Sequence, residues 1–80
     1  MQGRRVNGNI VNLLGLAKGD YCFWNNTWYA CLPNGLIANL GNHTIVEHED
    51  KTISVSPSIL CQSHILTWHG YLEKGVWREC

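Results

Sequence analysis

The sequence predicts an all-β domain, built as a small antiparallel meander of hairpins that forms a curled sheet or a small barrel. Pairs of turn-forming residues recur about every eight to ten positions, and runs rich in aromatic and β-branched residues lie between them. A chain of 80 residues has room for one domain, 1–80. We expect 1–18 to be an irregular or short helical lead-in and 19–80 to be the β meander.

The turn spacing predicts seven strands after the lead-in. Residues 6–18 are ambiguous between a short helical turn and an extended segment, because glycines disfavour a long helix. The predicted strands cover residues 20–24, 27–32, 36–40, 43–49, 52–59, 68–73 and 76–80.

The first hairpin is predicted to turn at Asn25-Asn26, because Asn tolerates positive φ. The resulting register places Trp24 opposite Thr27 and Cys22 opposite Tyr29. One face then carries Tyr21, Phe23, Trp28 and Ala30, and the other carries Cys22, Trp24, Tyr29 and Cys31. Because both faces are apolar, this hairpin is either covered on both sides or presents one aromatic face to a partner.

Two further hairpins follow the same logic. A turn at 49–52 closes the middle hairpin, whose buried face is predicted to carry Val46, Ile53, Val55 and Ile59. Pro57 indicates an edge position or a bulge. The last hairpin turns at Lys74-Gly75, which places Leu72 opposite Trp77, Tyr71 opposite Arg78 and His69 opposite Cys80.

Composition excludes several classes of protein. Six basic and six acidic residues give a formal net charge of zero, which argues against binding to nucleic acid mainly through phosphate charge. An apolar fraction of 45% argues against disorder. The sequence has no run of about 18 apolar residues that would span a membrane. We therefore expect a cytoplasmic protein, in which thiols stay reduced.

The chain contains four cysteines and four histidines. In an oxidising compartment the cysteines would form two disulfides, whereas in a reducing one they suggest zinc. The predicted hairpins bring Cys61, His64, His69 and Cys80 to one end of the sheet, with the spacing C-x2-H-x4-H-x10-C. Four such ligands would form a closed, structural zinc site, because no position is left for water.

Other readings of these residues stay open at this point. Cys61 is equally consistent with a buried core thiol, His64 with a surface residue and His69 with a hydrogen-bonded strand residue. His43 is a substitute zinc ligand. Cys22 and Cys31 share a face, and they form either a second thiol pair or two small core residues.

Two segments carry a resemblance to a known family. Residues 52–60 read TISVSPSIL and residues 68–77 read WHGYLEKGVW; residues 40–50 and, more loosely, 19–35 add to them. The chain resembles a small domain of unknown function that is common in phages and prophages. The resemblance implies a phage or mobile-element origin and no established activity.

Some relatives in that family carry clusters of Cys and His that look zinc-binding. By position His69 matches their histidine, and Cys31, Cys61 and Cys80 lie near their cysteines. This chain lacks the paired cysteines that those relatives carry before the central strands. The resemblance therefore implies structural zinc without fixing the ligand set.

We expect a non-enzymatic accessory protein, a zinc-stabilised β scaffold that binds and inhibits a host protein such as a CRISPR-Cas defence nuclease. The candidate anchors of that interaction are Trp24, Trp28, Tyr29, Trp68 and Trp77, because Trp and Tyr dominate interface hot spots. One alternative is a module that stacks single-stranded nucleic acid on exposed aromatic rings. Another is a zinc-dependent hydrolase with Glu47 or Glu49 as the base.

Overall fold

The computed structural model describes residues 1–9 and 15–80, and within them the chain forms strands and no helix. The strands are β1 (Arg4–Arg5), β2 (Asp20–Trp24), β3 (Thr27–Cys31), β4 (Ile37–Asn39), β5 (Thr44–Glu47), β6 (Ile53–Gln62), β7 (Thr67–Glu73) and β8 (Val76–Glu79). The all-β prediction is confirmed. Of the ambiguous lead-in at 6–18, residues 10–14 lie outside the described part. The described residues provide no helix of the length and hydropathy needed to cross a membrane.

The strands form two four-stranded sheets rather than one. The first sheet has the order β1-β2-β3-β4 and the second has the order β5-β6-β7-β8. Every pair of neighbouring strands is antiparallel except β1 and β2, which are parallel. The predicted meander is therefore divided between two open sheets, and the described strands do not close into a barrel.

The tight turns of the first and last hairpins have the predicted chemistry. Asn25 and Asn26 have φ values of 51° and 63°, and Lys74 and Gly75 have φ values of 47° and 77°. Two consecutive positive φ values define the hairpin turn whose twist matches that of its strands. The predicted pairs Trp24–Thr27, Cys22–Tyr29, Leu72–Trp77 and Tyr71–Arg78 are all present.

The middle hairpin differs from its prediction by one residue. Glu47 pairs with Ile53, so the connecting loop is one residue longer than the predicted 49–52 turn. A shift of one residue moves each side chain of β5 to the other face of the sheet. Ile45 therefore lies opposite Val55, and the prediction that Val46 is buried is wrong: its side chain is 49% exposed.

Pro57 marks the irregularity that the sequence predicted. The pairing of β6 with β7 shifts register between Val55 and Ile59, which defines a bulge around the proline. After the bulge, regular pairing resumes with Ile59 opposite Gly70 and continues to Gln62. Val55 and Ile59 are four positions apart and both buried, so the alternation of side chains between the two faces of β6 continues through the bulge.

The core lies between the inner faces of the two sheets. It consists of Tyr21, Trp28, Ala30, Leu32, Ala38, Leu40, Ile53, Val55, Ile59, Trp68, Leu72 and Trp77. Three tryptophans in so small a core supply much of the apolar area that stabilises the fold.

The first residues of the chain connect the two sheets. Met1 accepts a hydrogen bond at its carbonyl from Trp77 N (2.8 Å), and Gly3 N donates to the carbonyl of Gly75 (2.7 Å). Three residues later, Val6 N donates to the carbonyl of Tyr21 (2.9 Å). The segment 1–6 therefore covers the outer edge of β8 and then joins β2.

Candidate functional site

Two residues of the predicted zinc site, Cys61 and His69, point to opposite faces of the second sheet. Cys61 pairs with Trp68 on the inner face, and its thiol donates towards the carbonyl of Ile37 at 3.9 Å. His69 pairs with Leu60 on the outer face, and its Nε2 lies 2.9 Å from Ser58 Oγ. Strand alternation thus separates this thiol from this imidazole.

The other predicted ligands do not complete a site around either residue. Cys80 N donates to the carbonyl of His69 (2.9 Å), which confirms that these two residues are neighbours across the hairpin. His64 is exposed in the loop between β6 and β7. Within 1–9 and 15–80, no group of three or more His, Cys, Asp or Glu residues is placed to hold a metal ion. This arrangement does not fit one tetrahedral ion, and zinc binding stays a prediction.

His43, the substitute ligand, has a different contact. Its Nε2 lies 3.2 Å from the carbonyl oxygen of Ser58 and so donates to it. Its other ring nitrogen, Nδ1, is buried without a hydrogen-bond partner. His43 therefore satisfies a backbone acceptor of β6.

All four cysteines are free thiols. Cys22 and Cys31 are buried on the outer face of the first sheet. Burial, and secondarily the charge of Asp20, raises the pKa of both thiols. Both are small buried residues that lie outside the main core cluster.

The acidic segment around the middle hairpin is held by local contacts. Glu47 forms an ion pair with Arg5 (3.0 Å). Asp50 Oδ1 accepts hydrogen bonds from Thr52 N (3.0 Å) and Thr52 Oγ1 (2.6 Å), which lower the pKa of that carboxyl. These contacts account for the carboxylates of Glu47 and Asp50 as parts of a locally bonded turn.

The arginines of the chain do not form a basic surface. Arg4 pairs with Asp20, Arg5 pairs with Glu47 and Arg78 pairs with Glu73. The guanidinium of Arg5 also stacks on the ring of Trp28, 4.9 Å from its centroid. A stripe of unpaired positive charge, which nucleic-acid binding requires, is not built from these three side chains.

Most of the predicted aromatic anchors belong to the core. Trp28, Trp68 and Trp77 are 8%, 2% and 2% exposed, so their prediction as exposed anchors is wrong. Trp24 and Tyr29 are half-buried and contact each other, with ring centroids 6.3 Å apart. The three buried indoles fill the space between the two sheets. The single curled sheet that the sequence predicted would not enclose such a space.

The two most exposed of the large apolar side chains in the described residues lie instead on the distal hairpin, which we define as residues 60–67. Ile65 is 87% exposed, Leu60 is 59% exposed and Leu66 is 42% exposed. Ser63 N donates to the carbonyl of Leu66 (2.7 Å), and Leu66 N donates to Ser63 Oγ (3.1 Å). This tight loop holds Ile65 out of the core.

A connection between β6 and β7 was predicted from the sequence, but its exposed apolar side chains were not identified as a candidate binding surface. The apolar pair Ile59-Leu60 has one side chain for each face, and the alternation that buries Ile53, Val55 and Ile59 makes Leu60 the outer one. The apolar Ile65-Leu66 in a loop was the available signal, because loops are normally polar.

Fold and surface together define a small two-sheet β domain with an exposed apolar hairpin. No protein family, curated protein or solved structure matches the chain.

Proposed function

We propose that this chain is a non-enzymatic binding domain that docks a protein partner through the distal hairpin. The observation that carries the proposal is the exposure of Leu60, Ile65 and Leu66 within one short hairpin. Single exposed apolar residues are ordinary on protein surfaces, whereas several together mark interaction sites. The paired arginines disfavour the nucleic-acid alternative, and the ion pair between Glu47 and Arg5 disfavours Glu47 as the base of a hydrolase.

The resemblance to phage and prophage domains supports a partner from the host cell. Small proteins of mobile elements commonly act by occupying a host protein, and a CRISPR-Cas defence nuclease is one such target. In this proposal the chain acts in the host cytoplasm and inhibits its partner by covering a surface.

The proposal is tested with matched substitutions on one sheet. Ile65→Asp and Leu60→Asp place a charge on the distal hairpin, and Val46→Asp places the same charge at an exposed valine of β5. A protein captured from bacterial lysate is purified, and its affinity for each variant is measured. We expect the two hairpin variants to bind at least about tenfold more weakly and the Val46 variant to bind as the wild type does.

Two controls make the result decisive. The melting temperature of each variant shows whether the fold is intact. If the partner is a nuclease, cleavage of its target DNA with each variant present shows whether inhibition follows affinity. Equal affinity of all three folded variants would refute docking through the distal hairpin.

A further inference from the structure

A cavity lies where the loop after β3 meets β7 and β8. Its volume is about 190 Å³, and it is lined by Met1, Pro33, Trp68, Trp77 and Glu79. A cavity of about 150 Å³ can hold benzene, so this one has room for a slightly larger organic group.

The wall of the cavity is mostly apolar and firmly held. Trp68 and Trp77 are each 2% exposed, so the surrounding core fixes both rings. Trp77 Nε1 also donates to the carbonyl of Gly19 (3.0 Å). Pro33 and the side chain of Met1 complete the apolar part of the lining. Such a wall, formed before any ligand arrives, favours an aliphatic group.

Glu79 adds a carboxylate to this apolar wall. Side chains alternate along β8, so Glu79 lies on the same side of the strand as Trp77, and Arg78 lies on the other side. The guanidinium of Arg78 pairs there with Glu73. The neighbouring cation is therefore directed away from the cavity.

The carboxylate of Glu79 is available to a cation from outside the chain. Within 1–9 and 15–80, none of the ion pairs includes Glu79. Met1 brings a second charge to the cavity, its α-amino group, but this group donates to the carbonyl of Trp77 (3.2 Å). An anion would be repelled by Glu79, whereas a cation would form a charge-assisted hydrogen bond with it. Trp is also the aromatic side chain that attracts cations most strongly.

We infer that this cavity binds an alkylammonium or alkylguanidinium ion, the group that ends a lysine or arginine side chain. The alkyl chain contacts the apolar wall, and the cation pairs with Glu79. The inference goes beyond the proposed function, because the lining of the cavity contains none of the exposed apolar side chains of the distal hairpin. The ion comes either from a free amine or from a side chain of a partner protein.

The probe is n-butylammonium chloride, which is titrated into ¹⁵N-labelled protein at constant ionic strength. The neutral isostere n-butanol is titrated in parallel. We expect n-butylammonium to cause saturable shifts of the indole N–H signals of Trp68 and Trp77. The affinity for n-butanol should be at least about tenfold lower, because n-butanol cannot form the ion pair with Glu79. Equal affinities for the two compounds would overturn the inference, and so would the absence of a saturable shift.

Two matched substitutions test the role of the carboxylate. Glu79→Gln removes the charge at the cavity, and Glu49→Gln removes the same charge from an exposed position of the middle hairpin. We expect Glu79→Gln to weaken binding of n-butylammonium at least about tenfold and Glu49→Gln to leave it unchanged. The melting temperatures of both variants should stay within a few degrees of wild type. Equal affinities of the two folded variants would overturn the inference and leave docking through the distal hairpin intact.

A second pair of compounds distinguishes the two sources of the cation. Nα-acetyl-lysine methylamide carries the ammonium group on a peptide backbone, and its Nε-acetylated form lacks the charge. Displacement of n-butylammonium by the charged form alone would support a side chain of a partner protein. Binding of n-butylammonium without displacement by either form would support a free amine. Displacement by both forms would show that the cavity does not recognise the charge and would overturn the inference.

Discussion

The indole rings of Trp68 and Trp77 meet edge to face in the core, with centroids 5.5 Å apart and planes at 86°. Gly70 makes this contact possible, because the Trp68 ring occupies the space where a side chain at position 70 would lie. A Cβ built on Gly70 would come within 2.9 Å of Glu79 Cα and closer still to Arg78 and Trp68. This pair is favourable beyond the area it buries, since the edge of one ring meets the face of the other.

We therefore expect Gly70→Ala to destabilise the domain. The new methyl group meets backbone atoms of β8 as well as the Trp68 ring, so the two strands must separate or the ring must move. Overpacking of this kind costs about 1–3 kcal/mol of unfolding free energy, which urea denaturation measures. Thr67→Ala, at an exposed position of the same strand, is the control and should change stability much less. If Gly70→Ala and the wild type had equal unfolding free energies, the Trp68 ring and β8 would have adjusted to the methyl group without cost.

The buried carboxyl of Asp20 anchors the start of β2. It accepts hydrogen bonds from Arg4 Nη2 (3.1 Å), from Arg4 Nε (3.3 Å) and from Ala17 N (3.2 Å). The Asp20 side chain is 9% exposed, whereas that of Arg4 is 71% exposed. Removing Arg4 therefore leaves a buried carboxylate, whereas removing Asp20 leaves a guanidinium that is mostly in water.

Arg4→Ala should cost more than Asp20→Ala. Removing the guanidinium leaves the buried carboxylate of Asp20 without its cation, which costs about 1–3 kcal/mol. Removing the carboxyl leaves the exposed side chain of Arg4 and the N–H of the exposed Ala17, which water can reach, so about 0–1 kcal/mol is expected. The two unfolding free energies are compared in the same buffer. A larger loss for Asp20→Ala would mean that the contact of the carboxyl with Ala17 N, and not the ion pair, is the main role of this site.

The four thiols should differ in reactivity according to their burial. Cys80 is exposed, while Cys22 and Cys31 are buried and have a raised thiol pKa. Because the thiolate is the reactive form, we expect iodoacetamide to modify Cys80 first and the two buried thiols at least about tenfold more slowly. Mass spectrometry of peptides over time measures the order. In urea the difference should disappear; a difference that persists there would not come from the fold.

Local sequence patterns predicted the hairpins well because their turns are short and chemically specific. Asn25-Asn26 and Lys74-Gly75 fix the register of their strands by their positive φ values alone. The middle hairpin was harder, because a charged loop around Lys51 gives no comparable signal for its length. An error of one residue there reversed the predicted orientation of Val46.

The division into two sheets depends on contacts that no local pattern contains. The sequence indicated the bulge at Pro57, but the register at which β6 pairs with β7 beyond the bulge depends on both strands. The prediction of the zinc site placed Cys61 and His69 correctly along their strands. It did not take into account that successive side chains of a strand point to opposite faces of the sheet. Cys61 and His69 lie near each other along the sheet and are nevertheless on different faces.

The separation of Cys61 and His69 yields the final prediction, which concerns metal removal. Incubation with EDTA should leave the melting temperature unchanged, because residues 1–9 and 15–80 assemble no set of ligands for a structural ion. Elemental analysis of the purified protein before and after EDTA gives the zinc content, and Cys80→Ser and His69→Ala are assayed beside the wild type. A structural zinc ion would instead make the melting temperature fall on chelation and on either substitution. That result would support the four-ligand prediction and require the strand around Cys61 to turn its thiol to the outer face.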